Sequence, residues 1–324
     1  IEFLYLNASD GSIQLNGSGS NFISYTGLEP ISSTINATNV TLNYSGVDET
    51  ITVTDAGGGQ TTVSSTSGET TTFNNPTGTL TINAGTGADT INIISLAANY
   101  TANIIINGGD DADEINVDAS VSLAAGKTIQ FNAEVVELTG DVTADAISGT
   151  AATVNITGSA GGAEIQDAID LAASGATINV AAGTYAEDVI VDKSVILQGA
   201  NAGIAGNGVR GAESLIDPSS TFGIEVRADN VTIDGFEITG LDRDGINVRP
   251  TNSGLGVSTR GNIVIQNNYI HETFVPGNQV NGIVFGEQVV GGPDSTDSAT
   301  ISFVTISNNL IDVTDDNTAR GIVM

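Results

Sequence analysis

The side chains best suited to chemistry fall in two places. In the stretch GLDRDGINV, Asp242 and Asp244 flank Arg243, with Arg249 just beyond and Arg260 and His271 further along. Paired carboxylates can act as acid and base, or hold a divalent cation against an acidic substrate. Arg249 and Arg260 can bind or deprotonate such a substrate, and Arg227 pairs with Arg249 as a stacked guanidinium site for carboxylate or sulfate. The plainer reading is a loop with a local ion pair, Arg227 and Arg249 being balanced by Glu225. His271 is the single histidine and cysteine is absent, so no nitrogen or sulfur metal set can form. His271 then reads as a surface or turn residue. The second place is INAGTGADTINI (82–93) and INGGDDADEINV (106–117), which carry Asp89, Asp111 and Asp113. Glycine lets carbonyls turn toward a cation and a carboxylate closes the shell, so calcium is the ion this pattern suits. The competing reading is a structural Gly/Asp turn.

The elements that must position these residues are mostly strands. Hydrophobic residues make up 40% of the 324, enough for a core and too much for a disordered acidic tail. Gly, Ser, Thr, Asn and Asp dominate the rest, which is turn and β-surface chemistry. In residues 1–160, runs such as NVTLNYSG, ETITVTD and NIIINGG alternate or are β-branched. The two Gly/Asp segments repeat at an offset of 24, and a looser copy, YSGVDETITV, starts at Tyr44. Self-similarity at a fixed period predicts a solenoid of stacked coils. Residues 161–324 repeat more strictly. GIEV (223–226), GINV (245–248), GIVF (282–285) and GIVM (321–324) recur at offsets of 22, 37 and 39. Ile224, Ile246, Ile283 and Ile322 then form one inward column, and Val226, Val248, Phe285 and Met324 the next. Alternation puts Glu225, Asn247, Val284 and Val323 outside. Gly199, Gly235, Asn267 and Asn308 align as residues tolerant of a left-handed bend. The longer offsets require loops, supplied by RPTNSGLGVSTRG and GEQVVGGPDSTDSA.

One amphipathic helix interrupts the strands. Ile165, Ala168, Ile169 and Ala172 make an apolar stripe, Glu164 and Asp167 fall in the first turn, and Gly175 suits the C′ position. The expected helix spans 163–174 and caps the exposed core of the second solenoid. Gly161 and Gly162 are the expected linker.

The stretch IQDAIDLAASGATINVAAGTYAEDVIVDKSVILQGA resembles the opening of pectin-lyase-like right-handed parallel β-helix proteins. There a capping helix, a strand, a G-x-Y turn and a V-x-L-x-G strand follow in order. The corresponding residues here are Ile165 to Ile169, Ile178 to Val180, Gly183 to Tyr185, and Val195 to Gly199. The resemblance covers about residues 163–324. It implies an all-β chain, a right-handed parallel β-helix (β-solenoid) with one capping helix, cut short at its C-terminal end. It implies little about chemistry, because the group includes lyases, esterases, epimerases and non-enzymatic surface proteins. Its outer strand face near Asp242 and Asp244 is the usual substrate groove. The esterase, epimerase and lyase residue constellations of that group are missing. Ala84 to Asn92 and Gly108 to Asn116 resemble the calcium-binding RTX nonapeptide, with Asp89 and Asp113 at its ligand position. These copies stand singly where RTX rolls run in tandem.

The net charge of −30 disfavours nucleic acid and anionic lipid, which need basic patches. It suits solubility, divalent cations or a salty exterior. No apolar run approaches the ~18 residues of a membrane span. The chain begins at Ile1 and its last repeat stops at Met324, so it reads as part of a larger polypeptide. The leading expectation is an extracellular or cell-surface repeat segment with a structural, adhesion or matrix role, stabilised by calcium. The alternative is a polysaccharide-active β-helix enzyme, a lyase or hydrolase. Acidic polysaccharide or another surface glycan is the expected partner in either case.

Overall fold

The structure, a computed structural model, describes residues 1–15, 22–28, 30–218, 222–240, 243–249, 258–272, 281–286, 299–313 and 320–324. The chain is mostly strand, with long parallel sheets and one α-helix. It divides into two compact units. The first is 1–163 with 170–173, and the second is 164–169 with 174–324.

In the first unit, Asn39–Asn43, Thr79–Thr86, Asn103–Asp110, Thr128–Asn132 and Ala146–Gly149 pair in parallel as one sheet. Thr50–Gly57, Thr90–Ile93, Glu114–Val117, Val135–Leu138 and Ala151–Ile156 do the same in a second. The register places Thr50, Thr90 and Glu114 side by side, and Asn43, Asn83 and Asn107 likewise. YSGVDETITV is therefore stacked on the two stronger copies. Val40, Leu42, Leu80, Ile82, Ile104 and Ile106 alternate inward and are buried. Between them, Asn83 donates to Asn43, Asn107 to Asn83 and Asn132 to Asn107, each at 2.7 Å. One polar side chain per coil thus forms a continuous amide ladder.

Two antiparallel insertions depart from the plain solenoid expected over 1–160. Glu2–Tyr5, Asp10–Gln14 and Phe22–Thr26 form a meander, as do Thr50–Gly57, Gln60–Ser65 and Thr71–Asn74. The second turns at Gly57, Gly58 and Gly59, all at positive φ. That conformation costs glycine nothing and matches hairpin twist.

In the second unit, successive strands visit three parallel sheets in rotation. Val195–Gln198, Val231–Asp234, Ser258–Gln266 and Ala299–Ser307 extend one. Gly183–Tyr185, Ser214–Ile216, Glu237–Ile238, Tyr269–Glu272 and Leu310–Val313 form another. Val189–Val191, Phe222–Val226, Asp244–Val248, Asn281–Phe285 and Arg320–Val323 form the third. Ile224, Ile246, Ile283 and Ile322 share a register. The first three are fully buried and Ile322 is half exposed. Gly235, Asn267 and Asn308 take the expected left-handed backbone, but Gly199 does not. Gly199 is there for space: a Cβ would sit 2.6 Å from the Gly235 carbonyl. Of RPTNSGLGVSTRG, 250–257 lie outside the described residues and Ser258 to Gly261 are not loop but the start of the strand Ser258–Gln266; of GEQVVGGPDSTDSA, 287–298 lie outside them.

The helix is shorter than expected, Ile165–Leu171, because Ala172–Val180 is strand. Gly175 does not end the helix. It lies at positive φ within that strand, donating to Ser194 O at 2.7 Å. The β-branched Thr177, Ile178 and Val180 and the ladder to Val195–Gln198 outweigh the helix propensity of two alanines. Ile165, Ala168 and Ile169 are buried, as the stripe requires. The N-terminus is held from a distance: Glu187 accepts from Ile165 N at 2.6 Å and Gln166 N at 3.0 Å. Burial raises the Glu187 carboxyl to about 7, outweighing those two bonds.

Candidate functional site

Register aligns the acids of the first unit. Asp89 Oδ1 accepts the Glu49 amide at 2.8 Å, Asp113 Oδ1 accepts the Asp89 amide at 2.9 Å, and Glu134 Oε2 accepts the Asp113 amide at 2.9 Å. Each acid therefore caps the backbone of the preceding coil. The small residues Ala84 and Gly108 leave the room; a Cβ on Gly108 would meet Asp113 Oδ2 at 2.3 Å. Asp89 and Asp113 are 1% exposed, and the second oxygen of each is buried without a hydrogen-bond partner. Burial, then neighbouring acids, raise Asp89 to about 6, and Asp113 and Glu49 move in the same direction. Asp111 is exposed in its loop, where its carboxylate lies 3.4 Å from Gly87 N. Asp89 and Asp113 are thus brought together by stacking, and Asp111 stays outside with the turn. Among the described residues no three His, Cys, Asp or Glu side chains gather closely enough to hold a metal ion.

In the second unit Asp244 is fully buried, and both of its oxygens are taken. Oδ2 accepts from Arg243 Nε at 3.0 Å and Asn247 Nδ2 at 2.9 Å, and Oδ1 accepts from Asn281 Nδ2 at 2.8 Å. Three of its roughly four acceptor sites are thus filled from within the fold. Asp242 lies outside the described residues. Arg227 and Arg249 stand on adjacent coils and share Glu225 Oε1, at 2.5 and 3.2 Å. Arg260 is brought to the same strip, donating to Arg249 O at 2.8 Å with Asp229 at 3.8 Å. The expectation that Glu225, Asn247 and Val284 lie outside fails, for all three are buried. Glu225 Oε1 is held by the two guanidinium groups and Asn247 Nδ2 by Asp244, while Glu225 Oε2 and Asn247 Oδ1 are buried without hydrogen-bond partners. His271 is on a different sheet, 2.7 Å from Glu237 and stacked on Tyr269. It is not joined to Asp244, Arg249 or Arg260.

Two features escaped the sequence. Arg210 is 7% exposed in its side chain and binds both oxygens of Glu213, at 2.6 and 2.8 Å. It also donates to the carbonyls of Ile204, Asn267 and Phe236. The other is a buried group of tyrosines and acids around Glu49 and Tyr44. Arg210 belongs to no repeat, and Glu49, although it lies in the loosest copy YSGVDETITV, departs from the Asp of the other two.

A scan against protein-family models matched nothing, and neither did searches of the curated proteins and of the solved structures. The pectin-lyase-like and RTX resemblances rest on the residues that carry them.

Proposed function

We propose that the chain is a segment of an extracellular or cell-surface repeat protein with a structural, adhesion or matrix role. The second unit is wound as a right-handed parallel β-helix and the first as a solenoid that calcium stabilises near Asp89, Asp113 and Asp111. One observation carries this reading: polar side chains at coil positions bond the neighbouring coils and hold the stack together. The amide ladder from Asn43 to Asn132, the acid ladder from Asp89 to Glu134 and the bonded shell of Asp244 are all of this kind. A catalytic site would need at least one such group turned toward an open cleft. The acidic composition accords with a salty exterior. The second reading, an enzyme on an acidic glycan, is favoured by the partly exposed side chains of Arg227 and Arg249.

The test is incubation with polyuronate and sulfated polysaccharides, with and without Ca²⁺, followed by assay of new chain ends. The expected result is none above buffer. Chain cleavage that Asp244→Asn or Arg249→Ala abolishes would establish the enzyme reading instead.

A further inference from the structure

We propose that the buried corner around Tyr44 and Glu49 binds a hard divalent cation of calcium size, with Glu49 Oε1 as its anionic ligand and the Tyr44 and Ser67 hydroxyls beside it. This site extends the acid ladder by one coil, since Glu49 precedes Thr50 as Asp89 precedes Thr90 and its amide bonds Asp89 Oδ1; it rests on the functional reading above and adds to it the Tyr44 and Ser67 hydroxyls. Glu49 is 4% exposed and Tyr44 6%. Ser65 Oγ donates to Glu49 Oε2 at 2.5 Å, which fixes the carboxylate and leaves Oε1 free. Glu49 Oε1, Tyr44 Oη and Ser67 Oγ are all buried without hydrogen-bond partners. They are neighbours: the Ser67 side chain stands close enough to the Glu49 carboxylate to lower its pKa as a hydrogen-bond donor, Tyr44 feels the same charge, and the Ser67 and Gly68 amides bond Ser65 Oγ at 3.1 Å. Gly68 makes way for the ring, since a Cβ there would lie 2.7 Å from Tyr44. The ring is fixed on its other face by Tyr5, 4.7 Å away, whose hydroxyl is bonded to Thr71. A second carboxylate, Glu69, is fully buried beside Tyr5 and Tyr25.

A buried carboxylate must be paired, protonated or metal-bound. Pairing by a side chain is closed off here. Residues 1–162 contain one basic side chain, Lys127, and its ammonium lies on Thr77 O at 2.7 Å. The N-terminal amine lies on Asn39 O. That leaves protonation, which burial of Glu49 favours, or a cation from solution, which the three converging oxygens favour. The donors offered are all oxygen, which selects a hard cation. The neighbouring coils have Ala84 and Gly108 where this one has Tyr44, so the hydroxyl donor occurs at this coil alone.

Terbium(III) is a suitable probe, because it occupies calcium sites and is sensitised by nearby tyrosine. The protein has six tyrosines and no tryptophan. The full chain is expected to give tyrosine-sensitised terbium emission that Ca²⁺ displaces. Glu49→Gln should weaken binding by about tenfold or more and Ser67→Ala by about threefold, with the emission kept in Asp89→Asn/Asp113→Asn. Without cations, Glu49→Gln should unfold at no lower temperature than wild type, because it removes a buried charge while keeping its shape. That control separates loss of a ligand from loss of fold. Absence of sensitised emission in the wild type would overturn the proposal. So would emission that survives Glu49→Gln, or that only the Asp89/Asp113 pair removes.

Discussion

Replacing Arg210 by Met should destabilise the second unit by about 3–5 kcal/mol, the usual cost of breaking one side of a buried ion pair. The physical content lies in what remains behind. Glu213, 16% exposed in its side chain, loses both of its guanidinium bonds. The carbonyls of Ile204, Asn267 and Phe236 lose a donor at the same time. These three carbonyls come from separate segments, so the guanidinium ties the 199–213 loop to two later coils. Arg210→Lys should recover less than half of the loss, because an ammonium cannot reproduce the planar fork. Urea unfolding of the second unit checks this, with a lower midpoint and an unchanged slope. Arg227→Met is the control: its side chain is 44% exposed and Glu225 keeps Arg249 at 3.2 Å, so about 1 kcal/mol is expected.

Gly109→Ala should cost the first unit about 3 kcal/mol or more, since two penalties act together. Gly109 sits at φ +123, a backbone that alanine resists. Its added Cβ would also lie 1.8 Å from the Gly85 carbonyl oxygen on the adjacent coil. Gly85 and Gly109 are register partners, and strands in a sheet stand only ~4.8 Å apart, so neither coil can yield without breaking the ladder. Gly126→Ala separates the two penalties. Gly126 lies at φ +76 with no atom near its missing Cβ, and about 1 kcal/mol is expected. Equal losses at the two glycines would show that the coils are not packed as described.

The repeats were legible because a coil imposes the same demands each time it passes. An inward β-branched residue, an outward polar one and a bend residue recur in order, and periodicity records them. Asn267 and Asn308 were found this way, as were the Ile224, Ile246 and Ile283 columns. The triple glycine 57–59 signalled a hairpin that the search for coils passed over. The helix was overdrawn because Ala172 and Ala173 satisfy helical propensity locally, whereas the sheet that claims them is assembled from distant strands. Acid stacking was half legible. Asp89 and Asp113 shared a motif position, but whether they face a loop cation or a backbone amide is a matter of register. Glu49 stands at the repeated acid position, but Ser67 and Arg210 act across coils through residues that do not repeat, so sequence spacing carries no trace of them.

Thermal unfolding with and without millimolar Ca²⁺, in the wild type and in Asp89→Ala/Asp113→Ala, tests the central claim most directly. A wild-type midpoint rising by roughly 5 °C, as a Ca²⁺ concentration well above the dissociation constant would give, with a large part of that rise lost in the double variant and the remainder kept by the Glu49 corner, is the predicted result. A wild type that does not respond to Ca²⁺ would contradict it, leaving the acid ladder as backbone capping alone.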